Sequence, residues 1–148
     1  MDKRILAAAG VLTAVFAVNT VSAQIKTTEK VNTAETVKYT PLDPKDPNGA
    51  AISVISGDPQ KGPVTLFLRL AKGAAPLHTH TANYQAVLIK GQHKHWYGNT
   101  TDKGPALNPG SHWTQAGKAV HGDECLTAQC VLLVTLDGPY DYAPAPAK

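Results

Sequence analysis

Residues 78–95 read HTHTANYQAVLIKGQHKH, which places four of the six histidines of this 148-residue chain in two H-x-H pairs. On an extended strand, residues i and i+2 leave the same face about 6.6 Å apart, so His78 and His80 can lean toward a common point. Imidazole nitrogens hold transition ions at about 2.0–2.1 Å, and such a pair is half of a metal site. His93 and His95 share a face by the same alternation. Two histidines alone are also what an ordinary protein surface carries, so the reading requires further donors from elsewhere in the chain.

The elements that must position these side chains are short. AAISVIS, VTLFLRL, YQAVLIK and VLLVTLD are apolar or alternating runs, separated by SGDPQKGP, AKGAAP, GNTTDKGPALNPG and DGPY. Val, Ile, Leu, Thr and Tyr fill the runs, while Gly, Pro, Asn and Asp supply the turns between them, which is the rhythm of an antiparallel all-β domain. No stretch after residue 24 has helical periodicity. PLDPKDPNG at 41–49 holds three prolines and reads as an extended loop. An edge strand is expected near 37–39, and YAPAPAK at the end reads as a loose tail.

The first 23 residues have the three regions of a secretory signal peptide: Asp2-Lys3-Arg4, the apolar run ILAAAGVLTAVFAV, and Val21-Ser22-Ala23 before Gln24. Cleavage after Ala23 implies a periplasmic or secreted protein with no membrane association once the segment is removed. The expected organisation is a signal peptide at 1–23, a polar Thr-rich leader at 24–38, one domain at 39–143 and a tail at 144–148. Asp2, Lys3 and Arg4 leave with the signal peptide, so the formal charge falls from +3 to about +2. A charge that small and scattered excludes nucleic acid and a polybasic membrane surface as partners. Cys125 and Cys130 enclose four residues in a chain bound for an oxidising compartment, and a disulfide is the expected pairing. Their spacing is neither the C-x-x-C of thioredoxin-like chemistry nor half of a zinc ribbon with a second pair to complete it.

GAAPLHTHTANYQAVLIKG has the layout of the first motif of the cupin superfamily, G-x5-H-x-H-x3/4-E-x6-G. GSHWTQAGKAVHGDEC echoes the second, with Ala116 where proline is usual, Lys118 where glycine is usual, and then His121. The chain therefore resembles small secreted cupins of no known function, from about Tyr39 to Tyr142. The resemblance implies a cupin-type double-stranded β-helix, or jelly-roll barrel, in a superfamily whose members often form homodimers. It also implies one divalent transition metal, such as Zn, Fe, Mn or Ni, held by His78, His80 and His121.

The motif's glutamate is absent: Tyr84 or Gln85 occupies its place, and neither is charged at neutral pH. Three neutral imidazoles leave a buried dication uncompensated, which weakens the expected binding. Gln85 offers an amide oxygen and Tyr84 an oxygen or a pocket wall, and alternation allows only one of them to face inward. Asp123 lies two residues from His121, on the same face if the strand persists and a solvated loop acid if it does not. His95 and Trp96 are expected to line the pocket, Trp113 and Tyr84 are further aromatic candidates, and His112 is read as structural.

Three functions fit these residues. A metal-dependent enzyme would act on a small organic molecule by dioxygenase, isomerase or lyase chemistry. A non-catalytic periplasmic protein would use the same cavity for a metal or small ligand, and a structural module would need none of the histidines.

Overall fold

The computed structural model describes residues 29–145, so the expected signal peptide lies outside the described residues. The chain divides at Val31/Asn32. Residues 29–31 of the first unit carry no regular element, and the second unit holds the domain.

The domain is all-β: an antiparallel sheet curled into the jelly-roll type of barrel that the motif resemblance implies. After a 3-10 turn at Ala34–Thr36, the strands are β1 Thr40–Pro41, β2 Ala51–Gly57, β3 Val64–Ala74, β4 His78–Thr79, β5 Tyr84–Lys90, β6 His93–Tyr97, β7 His112–Gln115, β8 His121–Leu136 and β9 Ala143–Pro144. The edge strand expected near 37–39 begins at Thr40, and Pro41 sits on it where no ladder donor is needed. The tail expected from residue 144 starts inside the fold instead. Pro144 pairs with His78, and the Ala145 N–H donates to Leu77 O at 2.8 Å.

β8 is the spine of the barrel. One side pairs with β3 along most of its length and, past the end of β3, with β4 at His121, while the other pairs with β5 through 131–136 and β6 through 121–125. Period-2 alternation on these strands decides what faces inward. Leu132, Val134 and Leu136 of β8, Leu66 of β3 and Ala86 and Leu88 of β5 form the apolar core. At roughly 25 cal/mol per Å2 of apolar surface removed from water, each such leucine contributes about 1.5–3 kcal/mol to folding.

Between its two halves β8 bulges. Leu70 pairs with Cys130 and Ala71 with Gln129, yet Gly73 pairs with Cys125, so the residues between Cys125 and Gln129 are skipped by β3. Cys125 and Cys130 close this bulge as the expected disulfide, with Cα atoms 5.8 Å apart. The apolar half of the barrel therefore meets its histidine-bearing half at a covalent staple.

Candidate metal centre

The two motifs meet at one register position. His78 of β4 is the direct cross-strand partner of His121 of β8, and their ring centroids lie 4.2 Å apart. His80 follows β4 on the same side, with centroids 5.0 Å from His78 and 5.2 Å from His121. One potential ligand atom from each of the three lies within 4.8 Å of the others. His78 and His121 are buried and His80 is half-buried.

Each ring is turned by a backbone carbonyl. His78 Nδ1 lies 2.8 Å from Pro76 O, His121 Nδ1 lies 3.1 Å from Ala119 O, and His80 Nδ1 meets Asp141 O. A carbonyl can only accept, so each Nδ1 carries the proton and each Nε2 keeps its lone pair. This is the outer support that fixes metal-ligating imidazoles. Burial, the main cause, depresses the pKa of His78 and takes that of His121 down to about 4. Both are therefore neutral at pH 7, the form a metal requires. Three converging lone pairs are an unfavourable arrangement until a donor or a cation satisfies them, and imidazole nitrogens suit a divalent transition ion. The donor set fits that ion.

Local sequence places the loops that brace these rings. Asp141 accepts from the Thr81 N–H at 2.8 Å and the Thr81 hydroxyl at 2.6 Å, tying the C-terminal segment beside His80. The turn before β8 donates its Lys118 N–H to His80 O at 2.6 Å. Lys118 stands where the cupin motif carries glycine and keeps the left-handed conformation that glycine would serve, with φ 64°. Gly122, between His121 and Asp123, leaves room for the Trp96 ring, because a Cβ there would overlap the indole.

Of the two residues at the missing glutamate's place, Tyr84 faces inward and Gln85 faces solvent. The Tyr84 hydroxyl lies 3.3 Å from His121 Nε2 and donates to its lone pair. Burial, and then the negative charge of Asp123, raise the phenol's pKa far above its usual value, so Tyr84 remains a neutral hydroxyl.

The strand persists through Asp123, which is not a solvated loop acid. Its Oδ1 accepts from His93 Nε2 at 3.0 Å and from His95 Nδ1 at 2.9 Å. Burial works against its ionisation, but the hydrogen bonds from His93 and His95 outweigh it and hold the carboxyl well below the usual carboxylate range. Gln115 donates its amide to Ala116 O and Ala119 O, both at 3.1 Å, which turns its Oε1 toward His95 Nε2 at 3.3 Å. Trp113 stacks on both rings, with centroids 5.5 Å from His93 and 4.9 Å from His95.

His93 is thus fully buried and His95 stands behind Asp123 rather than on the pocket wall. Trp96 does not line the pocket either. It packs over Gly122, with Lys103 Nζ 5.0 Å from its ring. His112 is exposed on β7. Sequence reasoning missed Gln115 and Asp141. Gln115 was within reach, two residues past the inward Trp113, whereas nothing in DGPYDY marks Asp141 as the brace of a histidine 61 positions earlier.

Beside the histidines is a cavity of about 110 Å3. His78, His80, Asp123 and Tyr84 form its polar end, and Leu70, Leu132, other aliphatic side chains, Tyr140 and Tyr142 line the rest. Trp113 lines it too, and its buried indole N–H has no hydrogen-bond partner among the described residues.

Fold and site define a cupin-type barrel with a histidine-built pocket, and comparison with known structures agrees on the fold. The chain belongs to the family described as "Domain of unknown function (DUF4437)", whose model matches residues 22–143. An RmlC-like cupin from Shewanella frigidimarina is similar in structure, with TM-score 0.55 at 16% identity over 76% of this chain and 93% of that one. A cupin-2 domain protein from Rhodospirillum rubrum has TM-score 0.58 at 14% identity, covering 80% of each chain. The DMSP lyase DddQ from Ruegeria pomeroyi has TM-score 0.57 at 14% identity over 74% of this chain and 61% of the lyase. At these identities the likeness establishes the fold alone. No functionally curated protein matches the sequence.

Proposed function

We propose that this protein is an exported cupin that holds a divalent transition metal on His78, His80 and His121 and acts on a small organic molecule in the adjoining cavity. The observation that carries the reading is the shared orientation of the three rings, each with Nδ1–H spent on a carbonyl and an unprotonated Nε2, that of His121 shared with the Tyr84 hydroxyl. A bound ion would supply Lewis acidity or a redox centre. The signal-peptide pattern read in residues 1–23 and the closed Cys125–Cys130 bridge support a periplasmic or secreted location.

The cavity sets the class of molecule. Its volume is somewhat below that of a site that takes up benzene, roughly 150 Å3. None of its lining side chains is Lys or Arg, so a carboxylate or phosphate away from the metal would find no basic partner. The unpartnered Trp113 N–H calls for an acceptor. A compact, largely apolar, neutral molecule with an oxygen acceptor fits best, as in small ketones. Enzymes are built on this barrel, the DMSP lyase among its structural neighbours being one.

Tyr84 favours a second reading, a non-catalytic metal or small-ligand binding protein. A glutamate at that place could accept a proton during turnover, whereas a phenol held neutral cannot. The metal-loaded protein, offered small phenols, diketones and sugars, separates the two. Thermal stabilisation with oxygen uptake or product formation supports the enzyme, and stabilisation without turnover supports the binder. Stabilisation by the sugars alone would contradict the assigned ligand class.

A further inference from the structure

We propose that Asp123 supplies the carboxylate ligand that the first motif lacks, so that the metal's anionic donor comes from β8 rather than β5. The inference rests on the metal centre proposed above and concerns what completes it. The two oxygens of Asp123 have different surroundings. Oδ1 is saturated by the His93 and His95 N–H groups. Oδ2 has no hydrogen-bond partner among the described residues and lies 3.6 Å from His78 Nε2 and 3.9 Å from His121 Nε2.

Those distances exceed a hydrogen bond, and the two nitrogens present lone pairs because their Nδ1 atoms hold the protons. A carboxylate oxygen facing two lone pairs across a cavity is an arrangement of like partial charges, which a cation between them converts into a ligand set. His93 and His95 then act as positioning residues, fixing the carboxylate plane as carboxylates fix ligating histidines elsewhere. Gln115 and Trp113 hold the His95 ring in turn. The arrangement answers the charge deficit left by Tyr84, because one carboxylate offsets part of a buried dication's charge as a glutamate would.

The test is a chelator-competition titration of the untagged full-length protein and its variants with Co2+ and Zn2+, read by affinity and by the Co2+ absorption spectrum. Asp123→Asn can keep its carbonyl on His93 and His95 while turning a non-ligating amide toward the ion. Its affinity is expected to fall by about 100-fold or more with an altered spectrum, and Gln85→Ala is expected to change neither. Unchanged affinity and spectrum in Asp123→Asn, with binding lost in His121→Ala, would overturn the Asp123 assignment and leave the metal centre intact. No binding by the wild type would overturn the centre itself. Should Asp123→Asn fail to fold, the crystal structure of the zinc-loaded wild type decides: Oδ2 within about 2.2 Å of the ion supports the inference, and a water between them refutes it.

Discussion

His78 and His121 are direct partners across the β4/β8 pair, with ring centroids 4.2 Å apart, although 43 positions separate them in sequence. Packing two buried imidazoles against each other makes protonation of either one costly, and burial is the main cause of both depressed pKa values.

The metal-free protein should therefore lose stability in mild acid. A histidine whose folded pKa is below its unfolded value contributes stability that is present above pH ~6.5 and is lost as the pH falls, because the unfolded chain binds the proton first. For His121, with a folded pKa of about 4, the loss runs from pH ~6.5 down to about 4 and amounts to roughly 2–4 kcal/mol. His78 adds to it in the same direction. Urea unfolding of chelator-treated protein at pH 7.5, 6 and 4.5 measures this, and a flat profile would contradict the neutral, buried pair.

Tyr84→Phe removes the hydroxyl that occupies the His121 lone pair. A single hydrogen bond is worth about 0.5–1.5 kcal/mol net, so metal affinity should stay level or tighten by up to about tenfold. A tenfold loss in a competition titration would mean that Tyr84 is itself a ligand.

The three histidines were legible because period 2 and the cupin motif spacing agree on His78 and His80, and the second motif adds His121. The choice between Tyr84 and Gln85 was not, since one residue of register reverses which side chain faces inward. β5 pairs Tyr84 with Gln115 and Leu136, both inward residues, and only that pairing settles the face. Asp123 was open for a similar reason, because whether β8 continues past His121 depends on β6, which supplies the ladder opposite it. Trp96 misled because alternation from His95 puts it on the outward side, where Gly122 leaves it a seat.

Replacing both cysteines by serine should lower unfolding free energy by about 2 kcal/mol, the chain-entropy value for so short a loop. The bridge also joins the half of β8 that bears Asp123 to the half that bears the core. Denaturant midpoints of the Cys125→Ser, Cys130→Ser double variant against the oxidised wild type measure the loss. Equal midpoints would show that the bulge holds its geometry without the bond.

Lys118→Gly restores glycine to a position already in the left-handed region. Relief of the backbone strain should raise stability by about 0.5–1 kcal/mol, net of glycine's greater unfolded-state entropy. Metal affinity should be unchanged, because the contact to His80 O comes from the backbone N–H. A fall in melting temperature would indicate that the Lys118 side chain contributes something its φ does not reveal.

Convergence of His78, His80 and His121 on one ion is tested most directly by elemental analysis of untagged protein, wild type beside His121→Ala. A near-stoichiometric divalent transition metal is expected in the wild type, with its loss in the variant and the β-sheet circular dichroism retained. A wild type that carries no such metal and takes none up on reconstitution, or a variant that keeps it, would contradict the account.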